Sequence, residues 1–282
     1  MEVIEKQSIS LPKTPILLRY DIQIAEEVII GGNSSSQLFS YKTTKELIKV
    51  DEIGFLYSIK VEEDTYTNSN PNITQVKELS IIHHNLVLYT NIHGQIIDVV
   101  NSAFIKQEWD TAMDKLISKY KKDLSSKETI LNIKNMLSEK KHFLEYIKNH
   151  YLMKALFPDI YHLEFGKQLI NNNKVREPMT SIEMPIQMTG TMTLDKNKSL
   201  VKILQMGKLN DEKFDGQPIK KELREIYDIP NMPVEINLNI FETCELNSSF
   251  LMIEKVNCQE IQIGPEYLIR HAIKTNLIKK ER

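Results

Sequence analysis

Residues 182 to 194 alternate without a break: Ile182, Met184, Ile186, Met188, Gly190, Met192 and Leu194 fall on one side, Glu183, Pro185, Gln187, Thr189, Thr191 and Thr193 on the other. Successive side chains leave a β-strand on opposite faces, so the pattern dictates a strand with one apolar face rich in methionine. Methionine is unbranched and polarizable. A face carrying Met184, Met188 and Met192 therefore suits an ordinary core, or a surface that adapts to a partner or an apolar ligand. Pro185 lies on the polar side and cannot donate to a ladder, which places the strand at an edge or at a bulge.

The same period of two recurs elsewhere. Tyr20, Ile22 and Ile24 alternate; Phe39, Tyr41 and Thr43 follow a loop over 31–36; Ile53, Phe55, Tyr57, Ile59 and Val61 alternate again. A loop over 68–72 precedes a hairpin with arms 86–92 and 95–100 around His93-Gly94. That connection sets Leu88 against Val99 and Thr90 against Ile97, placing the apolar residues on one face. The methionine strand turns through 195–198 into a partner, setting Val201 against Met192 and Ile203 against Gly190. Ile236, Leu238 and Ile240, extended by Val234, predict another strand, with 250–263 running back. Residues 267–278 fit either period.

Between these regions the period becomes 3.6. Ile105, Trp109, Ala112, Met113, Leu116, Ile117 and Tyr120 form one helical stripe, with Asn101 or Ser102 placed to cap it. Ser125-Ser126-Lys127-Glu128 has capping-box spacing ahead of Ile130, Ile133, Met136 and Leu137. A further helix carries Phe143, Leu144, Ile147, Tyr151 and Leu152 until Phe157-Pro158-Asp159 interrupts it, and a weaker pattern runs through Leu163 and Leu169 to 171–173. Ile219, Leu223, Ile226 and Tyr227 predict one more helix, ended by Pro230 and Pro233.

The expected fold class is α+β: antiparallel, curved β-sheets at both ends of the chain, packed against a central group of amphipathic helices. The regions are 1–102 (antiparallel β), 103–172 (helical) and 173–282 (β-rich with one helix), able to share one core. At 282 residues the chain can bury a sizeable core. Its 36 Lys and Arg against 38 Asp and Glu leave a net charge of −2, too balanced for a nucleic-acid partner. No apolar run approaches the ~18 residues that cross a bilayer, and residues 1–18 lack the basic and apolar segments of an export signal. A cytoplasmic location is the expectation. Cys244 and Cys258 fall out of register across the turn 247–249, so both should be free, reduced and buried.

Candidate chemistry is sparse. Adjacent His83 and His84 point to opposite faces if they share a strand, so they cannot hold one ion together. His83, His93 and Asp98 form the one conceivable enzymatic cluster. His142, His150 and His162 lack the spacing of a zinc-binding helix. There is no phosphate loop, nucleophile elbow or cysteine–histidine motif, and neither a cofactor nor a metal is expected. The pattern points first to a non-enzymatic protein that binds another protein, as an assembly component, adaptor or inhibitor, through edge-like strands. The alternative is a carrier of an apolar small molecule, in a sheet-and-helix cavity lined partly by Met184, Met188 and Met192, with Trp109 on the covering helix.

Overall fold

Alternation, the dominant pattern of the chain, is realised in the computed structural model as 12 strands; the structure describes residues 2–3, 9–68, 80–161, 174–176, 183–195, 199–227, 235–264 and 267–281. The strands are β1 (Glu2–Val3), β2 (Ile16–Ile30), β3 (Asn33–Val50), β4 (Gly54–Asn68), β5 (Asn85–Asn91), β6 (Ile96–Val99), β7 (Lys174–Arg176), β8 (Glu183–Asp195), β9 (Leu200–Leu209), β10 (Ile236–Leu246), β11 (Met252–Ile263) and β12 (Tyr267–Glu281). The helices are α1 (Ser102–Lys119), α2 (Leu124–Ser138), α3 (Lys140–Asn149), α4 (Tyr151–Leu156) and α5 (Gln217–Tyr227), with a short 3-10 turn at Ser80–His83.

The expected fold class is corrected here. The molecule is mostly one large antiparallel sheet, with 53% of the described residues in strands and 26% in helices, rather than sheets at both ends of the chain around a helical core. Its strands hydrogen-bond in the order β1-β8-β9-β10-β11-β12-β2-β3-β4-β5-β6, with β7 also on β8. β12 makes the difference: it lies between β11 and β2, so the last strand of the chain joins the C-terminal strands to the N-terminal ones. Its buried positions alternate as Tyr267, Ile269, His271, Ile273 and Thr275. The polar His271 and Thr275 in that series blur the period of two that the sequence would otherwise display.

The chain divides into two compact units. The first comprises residues 1–9, 24–38 and 163–274; the second comprises 10–23, 39–162 and 275–282, so β2, β3 and β12 run from one into the other. In the first unit Met184, Ile186, Met188, Leu209, Leu238, Ile261, Ile263 and Ile269 form a buried cluster on one sheet face. Ile219 of α5 belongs to that cluster, and Phe214 packs against it. In the second unit the buried set includes Tyr20 and Ile22 of β2, Tyr57 and Ile59 of β4, Leu88 of β5, and Ile105, Trp109, Ile130, Phe143 and Ile147 of the helices.

Several local expectations change at the turns. Only Gly31 and Gly32, both at positive φ (56° and 77°), connect β2 to β3; the serines placed in a loop belong to β3. Two residues in the left-handed region give a tight hairpin whose twist matches its strands. Met192 pairs with Ile203 and Leu194 with Val201, two residues from the expected register but with the same parity, so the apolar face is unchanged. Leu88 meets Val99 as expected, but a bulge between Tyr89 and Thr90 sets Thr90 against Ile96 and leaves Ile97 exposed.

Caps differ as well. Asn101 makes no side-chain cap to α1; its Oδ1 accepts from the Val87 N–H and its Nδ2 donates to the Asn85 carbonyl, tying α1 to β5. Asp123 caps α2, accepting from the backbone N–H and the hydroxyl of Ser126. Cys244 is buried as expected, but Cys258 is exposed; both are free. Residues 69–72, 163–173, 181–182, 196–198 and 228–234, with His162, lie outside the described residues, and so do the expectations that fall on them.

Candidate functional site

Helix α1 presents two faces. Ile105, Trp109 and Leu116 turn inward, as the 3.6 period requires. Phe104, Gln107, Thr111 and Lys115 follow each other at three- and four-residue spacing along a different line, and with Glu108, Ala112 and Leu116 they form one wall of a cleft. The 3-10 turn and the residue after it supply the facing residues, Ile81 and His84. The cleft has a volume of about 700 Å³. Its apolar lining is conspicuous because Phe104 remains 53% exposed and Ile81 36%. At the rim, His84 Nε2 stands 3.6 Å from an Asp64 carboxylate oxygen of β4.

At the end of the 3-10 turn His83 is buried, and its ring stacks on His150 with centroids 3.9 Å apart and planes inclined by 27°. Tyr146 of α3 stacks on the other contact, 5.5 Å away, with its hydroxyl 2.9 Å from His83 Nε2. Burial, reinforced by the neighbouring His150 and His84, holds the His83 imidazole well below its ordinary pKa. Burial likewise lowers His150 to about 4, and Lys154 adds to the effect. His150 also ends α3 and starts α4: its backbone is extended, and its Nδ1 accepts from the Leu152 N–H at 3.3 Å.

A second buried base holds the other end of α4. Lys45 of β3 is 8% exposed, and its Nζ donates to the Leu156 carbonyl at 2.7 Å. The amine lies 3.8 Å from the Phe157 ring centroid and 4.9 Å from that of Tyr57. Burial lowers its pKa to about 7. Neither Lys45 nor Tyr146 belongs to any motif in the sequence, and His150 stands out there only as a histidine without the spacing of a zinc-binding helix. A signal for Lys45 did exist, since it shares the parity of Tyr41, Thr43 and Leu47, all on the buried side of β3.

The residues singled out from the sequence are distributed differently. Met184, Met188 and Met192 are buried on the inner face of the first unit, where Ile219 of α5 completes the cluster around Met184 and Met188. Trp109 is fully buried in the second unit, and its indole nitrogen has no hydrogen-bond partner among the described residues. His83, His93 and Asp98 go separate ways: His83 engages Tyr146 and His150, His93 sits in the exposed hairpin turn, and Asp98 pairs with Lys140 at 2.7 Å. Pro185 pairs with Lys174 of the three-residue strand β7, near the end of the sheet. Among the described residues no group of three or more His, Cys, Asp or Glu side chains could hold a metal, and no helix is long and apolar enough to cross a membrane.

No family model matches the chain, and no curated protein matches it. Among solved structures, one described as lipid–protein interactions in lipovitellin aligns with a TM-score of 0.48 and 11% identity over 95% of this chain and 26% of that one. An outer membrane channel from Pseudomonas putida F1 aligns with a TM-score of 0.20 and 6% identity, over 98% of this chain and all of that one. The chain thus spans about a quarter of the lipovitellin chain it matches.

Proposed function

We propose that this chain binds an apolar or amphiphilic small molecule in the cleft between α1 and the 3-10 turn. The observation that carries the reading is a concave site of about 700 Å³ whose walls include Ile81, Phe104, Ala112 and Leu116. Small-molecule sites span roughly 300–1,000 Å³ and combine apolar walls with a few polar groups, here Gln107, Glu108, Thr111, Lys115 and His84. This places the ligand away from the methionine strand, whose apolar face is occupied by its own core. A concavity of this size favours a small molecule over another protein, which takes a broader surface of roughly 800 Å² per partner.

The test uses N-phenyl-1-naphthylamine, a neutral apolar probe whose fluorescence rises on leaving water. Phe104→Glu puts a charge into the cleft at a half-exposed position, so the fold should survive, which circular dichroism would verify. Probe binding by the native chain and at least a tenfold loss in Phe104→Glu is the expected result. Undiminished binding by the folded variant would refute this site.

A further inference from the structure

We propose that the His83–His150 stack is an acid-sensitive latch, holding the 3-10 turn, and with it one wall of the cleft, against α3 and α4. The contacts of His150 in the stack require its ring to be neutral. The Tyr146 hydroxyl, kept protonated by burial, stands 2.9 Å from His83 Nε2 and can donate to it or accept from it, so this contact holds the two residues together without fixing the charge on the ring. His150 Nδ1 accepts the Leu152 N–H, which a protonated Nδ1 cannot do. Two imidazoliums with centroids 3.9 Å apart would also repel in a site that excludes water.

The surrounding groups offer a new positive charge no counter-charge. Tyr146 faces the rings from α3, Lys154 faces His150 from α4, and His84 adjoins His83. Among the described residues no carboxylate shifts either imidazole; Asp64 of β4 faces His84, and Glu108 and Lys115 of α1 line the cleft on the far side of the turn. The unfolded rings titrate near 6.5, above both folded values, so the unfolded chain binds more protons as pH falls below that point. The stability that the stack contributes is therefore complete above about pH 6.5 and lost on acidification. Ile81 shares the 3-10 turn with His83, and His84 follows it, bonded through its backbone N–H to the Ile81 carbonyl, so releasing the turn dismantles a wall of the cleft.

The consequence for ligand rests on the proposed function; the latch itself does not. Amide hydrogen exchange of the full chain, corrected for intrinsic rates, is compared at pH 7.5 and 5. Protection over 80–84 and 150–156 should fall at least tenfold more than protection over 16–24. The double variant His83→Gln, His150→Asn, whose Asn can still cap α4 but cannot take a proton, should lose that difference. Unchanged protection in the native chain, or the same fall in the double variant, would overturn the latch. N-phenyl-1-naphthylamine does not change charge in this range, and its Kd should rise at least tenfold at pH 5 in the native chain alone. Absence of binding at pH 7.5 with an intact exchange response would sink the ligand reading and leave the latch standing. An exchange response with an unchanged probe Kd would overturn the link between the two.

Discussion

Gly207 of β9 lies directly across from Met188 of β8, and a Cβ on that glycine would fall 2.4 Å from the Met188 sulfur. The same Cβ would meet Ile186 at 3.1 Å and Ile240 at 3.2 Å. The missing side chain is thus the space into which the methionine packs, and the strand's apolar face closes into core.

Gly207→Ala is expected to destabilise the chain by about 1–3 kcal/mol, as overpacking a filled core does. Urea unfolding of the single variant and of a Gly207→Ala, Met188→Val pair measures the coupling. Recovery of at least half the loss in the pair, relative to Met188→Val alone, is expected; strictly additive effects would show that the two residues do not share this space.

The methionine face was legible in the sequence because parity is robust: the β8–β9 register differs by two residues, yet Met184, Met188 and Met192 stay on the buried side. What covers that face was not legible, since which strand neighbours which depends on β12, whose polar inward residues His271 and Thr275 hid its period. The candidate site was less legible still. Only Ala112 and Leu116 of its wall on α1 fall in the apolar stripe, the rest being what a search for core residues discards as solvent-facing, and the His83–His150 contact joins positions 67 residues apart, a separation no local pattern records.

The two thiols should behave differently. Cys258 is exposed on β11, whereas burial pushes the Cys244 thiol up to about 12. One equivalent should react with a thiol reagent in the native chain at pH 8, and two after denaturation. Two fast equivalents in the native state would show that β10 opens readily around Cys244.

Gly54 pairs with Asn91 where β4 begins, and a Cβ there would stand 1.8 Å from the Thr90 carbonyl oxygen. The obstacle is backbone, which cannot step aside as a side chain can. Asp51 accepts from the N–H groups of Ile53 and Gly54 and from the Tyr89 hydroxyl, fixing the turn against β5. An alanine in a tolerant position usually stabilises by about 0.4–1 kcal/mol. Gly54→Ala should instead cost about 3 kcal/mol or more, in the range reserved for disrupted backbone or core. A midpoint in urea equal to the parent's would contradict the close approach.

Lys45 should give the chain a stability gradient on the alkaline side. Its amine titrates near 10.5 when unfolded and about 7 when folded, because burial against Phe157 and Tyr57 disfavours the ammonium. Between those values the unfolded state binds the extra proton, so stability rises with pH, by about 1.4 kcal/mol per pH unit at most. Below pH 7 both states carry the charge and the gradient ends. Lys45→Met keeps the length of the side chain and its contact with the two rings but cannot titrate, and it gives up only the hydrogen bond to the Leu156 carbonyl. Urea unfolding at pH 7.5, 8.5 and 9.5 should therefore show the difference between parent and variant shifting steadily in the parent's favour. Parallel stability curves would mean that the folded amine stays charged, held by water reaching it between β3 and α4.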